Sequence, residues 1–180
     1  PDLRNALLAT EDIRFFEHTG VDVRALGRVF KGLVTTDMQG GGSTITQQLA
    51  KNLFPREKQS KVQLVLRKLK EWIIAVKLER AYTKEEIMAM YFNVVPFSDN
   101  AYGVKSAAYV YFGKDVDSLK IEEAAVLVGM LKAPSEYNPR AHPEVSKQRR
   151  NGVLHQMYHN KLISKDQRDS LFKMPITLDF

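Results

Sequence analysis

The chain has 180 residues, 44% of them hydrophobic, with 27 lysines and arginines against 21 acids for a formal net charge of +6, and no cysteine. Disulfides and thiolate metal sites are therefore excluded, and the longest apolar run, Ala124 to Leu131, falls far short of the ~20 residues a membrane span needs. The length supports one sizeable core, in one lobe or two, and the positive balance favours an anionic partner: nucleic acid, anionic lipid or a phosphate-bearing substrate.

Nearly every segment carries a helical period. Pro1 to about Thr10 has proline at a helix start and Leu3, Ala6, Leu7 and Leu8 on one face. A dense turn follows, with Glu11, Asp12, Phe15, Phe16, His18 and Gly20. Asp22 is placed to cap a helix reaching about Val34, in which Leu26, Val29, Phe30, Leu33 and Val34 alternate with Arg24, Arg28 and Lys31. That amphipathic segment suits a membrane surface or plain core packing equally. Gly40, Gly41 and Gly42 then free the backbone before Ser43 and Thr44, and Thr44 with Gln47 has the spacing of a capping box. On the helix they open, Ile45, Leu49 and Leu53 form an inward face, while Thr44, Gln47, Gln48 and Lys51 form a polar stripe.

Pro55 to Ser60 reads as a charged connector, and Lys61 to Tyr82 as the longest helix, with Val62, Val65, Leu69, Trp72 or Ile73, and Val76 at inward spacing. Thr83 and Glu86 form a second capping box ahead of a helix through Ile87, Met90 and Tyr91. After a proline-bearing loop, Ala101 to Phe112 is helical with Gly113 just past its end. Ile121 to Lys132 is an apolar, buried helix stopped by Pro134, and two further helices run from about Pro143 to Asn160 and from a Ser164 cap to about Phe172. No strand pattern stands out beyond a weak Pro175–Leu178 tail, so the fold class is mainly α.

The chemistry-bearing residues are few. Glu11 and Asp12 follow an apolar helix and adjoin two phenylalanines, a setting that can desolvate a carboxylate toward acid–base use. Glu71 lies one turn after Arg67 and Lys68, as an ordinary helix ion pair would. Between Lys51 and Lys70 stand Lys51, Arg56, Lys58, Lys61, Arg67, Lys68 and Lys70 against the single acid Glu57. There is no nucleophile elbow at Ser43, no zinc spacing around His18, and no nucleotide-binding glycine–lysine motif. Separated carboxylates without a nucleophile fit glycosidic chemistry. The basic cluster adds charge neutralisation for a phosphate-bearing leaving group.

In five blocks, the sequence resembles the peptidoglycan glycosyltransferases (glycosyltransferase family 51), the polymerase domain of class A penicillin-binding proteins and of monofunctional transglycosylases. The blocks are Glu11-Asp12 with Phe15, Phe16, His18 and Gly20; Gly41 through Asn52; Arg67 through Glu71 with Ala75, Leu78 and Glu79; Lys84 through Ile87 with Tyr91 and Asn93; and Arg149 through Leu154. The resemblance implies a lysozyme-like, two-lobed helical domain with a cleft, spanning residues 1–180 without membrane anchor or transpeptidase domain. It implies lipid II and the growing glycan as substrates and the outer face of the bacterial cytoplasmic membrane as location, with a fused transpeptidase domain as an expected partner. Glu11 would be the general base and Glu71 the second carboxylate, with Mg²⁺ or Mn²⁺ as a candidate ion near it and no organic cofactor. Lys51, Arg67 and Lys68, supported by Arg150, would hold pyrophosphate, while Asp12, Ser43, Thr44, Gln47 and Asn52 would complete the substrate-binding set. A lytic muramidase is the rival enzyme reading, though a neutral glycan needs no pyrophosphate clamp. A nucleic-acid binder is the rival binding reading, but aromatics are not interleaved with the basic run.

Overall fold

The structure, a computed structural model, describes residues 1–27, 42–53 and 61–179. Its helices are α1 (Asp2–Glu11), α2 (Ile45–Leu53), α3 (Lys61–Ala81), α4 (Lys84–Val94), α5 (Gly103–Phe112), α6 (Ile121–Met130), α7 (Pro143–His159) and α8 (Lys165–Lys173), with a short 3₁₀ turn at Val116–Ser118. Residues 23–27 are also helical. Among the described residues extended pairing is limited to one isolated bridge, Pro96 with Tyr102. The mainly α reading holds. The chain divides into two compact units, one of Pro1–Ile13 with Val95–Phe180, the other of Arg14–Val94.

The first unit is built around α6. Every residue from Ala124 to Met130 is buried, and α6 packs against α1, α5 and α7. A helix apolar all round has to be enclosed on all sides, and each large aliphatic side chain so enclosed contributes roughly 1.5–3 kcal/mol. Glu123 fixes its start by accepting the Lys120 N–H at 2.8 Å. Around it, α7 begins with Pro143 in the first turn and buries Ser146, Arg150, Val153, Leu154 and Met157. Gly113 ends α5 in the left-handed conformation, φ +60°, as its position predicts. Ser164 caps α8, accepting from the Gln167 N–H at 3.1 Å while Gln167 accepts from the Ser164 N–H at 2.9 Å.

The second unit packs α2 against α3 and α4. Asp22 caps residues 23–27 by accepting the Ala25 N–H at 3.0 Å. The Thr83–Glu86 capping box forms with both bonds, at 2.8 and 3.2 Å. The amphipathic segment predicted to run on to Val34 lies outside the described residues from position 28 onward, as do Gly40, Gly41 and the connector 54–60. Gly20 organises what is described. Its φ is +90°, and a Cβ there would stand 2.8 Å from the Ala75 carbonyl carbon and 2.9 Å from the Val76 nitrogen. The turn thus lies directly on the α3 backbone, an approach open only to glycine.

Two predicted helix faces are revised. On α2, Ile45 and Leu49 are fully buried but Leu53 is 44% exposed. On α3 the predicted face divides: Leu69 and Ile73, with their neighbour Leu66, are 46%, 57% and 53% exposed, Trp72 and Val76 are half-buried, and Glu71 and Ala75 are buried. Val62 and Val65, also expected inward, have side chains outside the described residues. The core-facing side of α3 carries acids because those acids have cationic and hydroxyl partners inside the unit, which offset the cost of burying them.

Candidate active site

In the first unit, Glu11 is the last residue of α1, with Asp12 as the cap that follows it. Glu11 is only 18% exposed at its side chain, and the Arg149 guanidinium stands 4.0 Å from its Oε1. Asp12 is buried. Arg149 is itself placed by α6: its Nε donates to the Gly129 carbonyl at 3.3 Å, and its guanidinium lies 5.6 Å from the centre of the Tyr137 ring. Burial, followed by hydrogen bonding to Glu136, pushes the Tyr137 phenol above its ordinary range despite the arginine's charge. The sequence reading named Arg149 only as part of a block.

Its neighbour Arg150, expected to support pyrophosphate, has other work. It is wholly buried, and its guanidinium donates to the Met174 carbonyl at 2.8 Å, the Phe172 carbonyl at 3.3 Å, and Asn151 Oδ1 at 2.9 and 3.1 Å. Burial lowers its pKa from the ordinary arginine value. Successive helical residues point about 100° apart, so one of two adjacent arginines on α7 takes the core side and the other does not. The spacing of the buried residues Ser146, Val153, Leu154 and Met157 marks position 150 as the inward one.

In the second unit two of the predicted cations, Arg67 and Lys68, meet Glu71 on α3. The Lys68 ammonium donates to Ser43 Oγ at 2.8 Å and to Glu71 Oε2 at 3.1 Å, and Arg67 Nε stands 3.5 Å from Glu71 Oε1. Glu71 is 6% exposed, whereas Lys68 and Arg67 keep 40% and 35% of their side-chain surface. A buried acid thus holds two cations whose side chains stay partly exposed, and the cluster keeps a net positive charge.

Thr44 and Gln47 are buried instead of lining a surface. Thr44 Oγ1 donates to the Gly20 carbonyl at 2.7 Å and accepts from the Gln47 N–H at 3.2 Å. The Gln47 amide also donates to the Gly20 carbonyl, at 3.3 Å. Only half of the expected capping box exists, because Gln47 turns to Gly20. The expected polar stripe therefore faces protein: Gln48 accepts from Tyr91 at 3.0 Å. Lys51 and Asn52 are half-buried.

Glu79 forms a second buried centre that the sequence reading did not single out. It accepts from Thr46 Oγ1 at 2.5 Å, pairs with Lys84 at 2.7 Å and lies 3.9 Å from His18 Nδ1. Lys84 also sits 4.4 Å from the centre of the Phe15 ring. His18 and Phe15 thus belong to the packing of this unit.

The expected divalent ion lacks a donor set beside Glu71. That carboxylate is engaged by two cations, and among the described residues no group of three or more histidines or acids could hold a metal. Among the described residues, the side chains beside Glu71 do not build a metal site.

Against known families, the profile described as Transglycosylase matches residues 1–158. The chain belongs to the transglycosylase family. Penicillin-binding protein 1A of Neisseria lactamica is 45% identical over 168 residues, 93% of this chain and 21% of its own. Penicillin-binding protein 1F of Bacillus subtilis is 44% identical over 163 residues, 90% of this chain and 22% of its own. A crystal structure of Penicillin-Binding Protein 1A from Haemophilus influenzae aligns with TM-score 0.52 at 40% identity, over 54% of this chain and 15% of that one. The chain thus spans about a fifth of the length of the relatives it matches. Membership in this family, glycosyltransferase family 51, supports glycosyl transfer in peptidoglycan and cell wall synthesis.

Proposed function

We propose that this transglycosylase domain polymerises lipid II into β-1,4-linked glycan, releasing undecaprenyl pyrophosphate. Glu11 accepts the proton of the 4-hydroxyl of the acceptor GlcNAc as that oxygen attacks the anomeric carbon of the donor MurNAc. The bond from that carbon to the pyrophosphate oxygen breaks, the configuration inverts, and the electron pair leaves with the diphosphate. Lys68 and Arg67, with Lys51, bind the charge that develops there. Ser43 and Asn52 complete the donor side. Glu71 acts by holding Lys68 and Arg67, and Arg150, Thr44 and Gln47 support the scaffold.

The observation that carries this reading is the Ser43–Lys68–Glu71–Arg67 cluster. Prepositioned cations suit a diphosphate leaving group and serve no purpose in cleaving a neutral glycan. The outward ridge of Leu66, Leu69 and Ile73, flanked by exposed Lys70, supports contact with a membrane surface, where a lipid-linked substrate resides. No described helix is long and apolar enough to cross a membrane. A penicillin-binding transpeptidase domain is the proposed covalent partner, in keeping with the relatives' names.

The test is to incubate the protein with labelled lipid II and, separately, with intact sacculi. Polymer from lipid II is expected from the native chain and none from Glu11→Gln, with the melting temperature of that variant unchanged. Soluble muropeptides without polymer would favour a lytic enzyme, and near-normal turnover by Glu11→Gln would remove it as the base.

A further inference from the structure

We propose that Arg149 is the positioning residue for Glu11, fixing the carboxylate for proton transfer without itself touching substrate. The inference rests on the reading of Glu11 as the base.

Glu11 stands at the C-terminal end of α1, where the unpaired carbonyls of the last turn present partial negative charge. A carboxylate there is repelled by its own helix, and a cation opposite it offsets that repulsion and holds it in place. Arg149 supplies one at 4.0 Å, from a different helix and with its own freedom removed. The Nε is bound to the Gly129 carbonyl at 3.3 Å, in the last turn of α6, and the planar guanidinium lies over the Tyr137 ring at 5.6 Å. Gly129 is part of the fitting: a Cβ at that position would come within 3.1 Å of Arg149 Cγ. The arginine therefore lies along α6 where a side chain would otherwise lift it away. A helix end, a ring face and a missing side chain converge on one guanidinium that is only 21% exposed at its side chain. An arginine serving solvent or a surface pair has no need of such fixing, since free rotamers cost it nothing.

The experiment uses the full chain with labelled lipid II and separates kcat from KM. Arg149→Ala should lower kcat about 10- to 100-fold, the range expected when a reacting group is left misplaced by a fraction of an ångström, with KM within about threefold of native. Arg149→Lys keeps a charge but loses the bond to Gly129, and should recover part of that kcat. If Arg149→Ala does not fold, Arg149→Gln replaces it, with the same loss expected. Native kcat in Arg149→Ala or Arg149→Gln would overturn the proposal, as would a loss confined to KM, which marks a direct substrate contact. Arg149→Lys no better than Arg149→Ala would also overturn it. Glu11→Gln, run alongside, separates the two levels. Inactive Glu11→Gln with native Arg149→Ala sinks only the positioning role; active Glu11→Gln sinks the base assignment beneath it.

Discussion

Gly20→Ala places one methyl group where the second unit has no room for it. The added Cβ would stand 2.8 Å from the Ala75 carbonyl carbon and 2.9 Å from both the Ala75 oxygen and the Val76 nitrogen. These are backbone atoms within α3 and cannot rotate aside. The φ of +90° adds about 1–2 kcal/mol of strain for a residue with a Cβ, and forced overpacking adds about 1–3 kcal/mol. The gain from a less flexible unfolded chain is below about 1 kcal/mol. A net loss of about 3 kcal/mol is expected, or a fall of roughly 6–12 °C in melting temperature for a chain of this size. Gly152→Ala is the control. It lies in α7 with nothing within 4 Å of where its methyl group would stand, so helix propensity should make it neutral or stabilising by up to about 1 kcal/mol. Urea and thermal unfolding of both variants, followed by circular dichroism, provide the measurement. The Gly20 carbonyl receives Thr44 and Gln47, so amide exchange at the start of α2 should quicken in Gly20→Ala. A Gly20→Ala loss below about 1 kcal/mol, or one matching the control, would refute the packing argument.

Three other outcomes follow from the same geometry. Burial pushes the Asp22 carboxyl up, but the Ala25 N–H and the Arg14 guanidinium outweigh it and leave the pKa below its ordinary value. The sign is that of a depressed carboxylate: its stabilisation is complete above the ordinary pKa of about 4 and fades as pH falls below it. Asp22→Asn should therefore lose about 1 kcal/mol near pH 7, and the gap from native should narrow in acid unfolding titrations; a gap constant with pH would contradict this. Lys68→Ala should lower kcat/KM roughly 100-fold with melting temperature within a few degrees, measured on lipid II and by calorimetry. Arg150→Ala should do the reverse. It removes the donors to Met174 and Phe172, costing roughly 3 kcal/mol and exposing residues 174–179 to limited proteolysis, while KM measured well below the transition stays near native.

How much was legible in the sequence depends on whether the deciding interaction is local. The capping box at Thr83, the Ser164 cap and the left-handed Gly113 involve residues within one turn of each other, so spacing alone foretold them. The all-apolar run of α6 could only be enclosed, and it is. The five motif blocks likewise pointed to the family without any coordinates, because residue type and order carry that information. Tertiary structure decided the rest. On α3, periodicity put Leu69 and Ile73 inside, since it weighs them but not the Lys68 and Lys84 partners that let Glu71 and Glu79 go in instead. It read Thr44 and Gln47 as surface because their partner, the Gly20 carbonyl, is more than twenty residues away. The family resemblance put Arg150 on pyrophosphate and gave its neighbour Arg149 no role. A 100° step around the helix separates them: Arg150 into the core on backbone carbonyls, Arg149 across Gly129 toward Glu11. Sequence names the charged groups, but which of them meet is set by the packing that brings distant turns together.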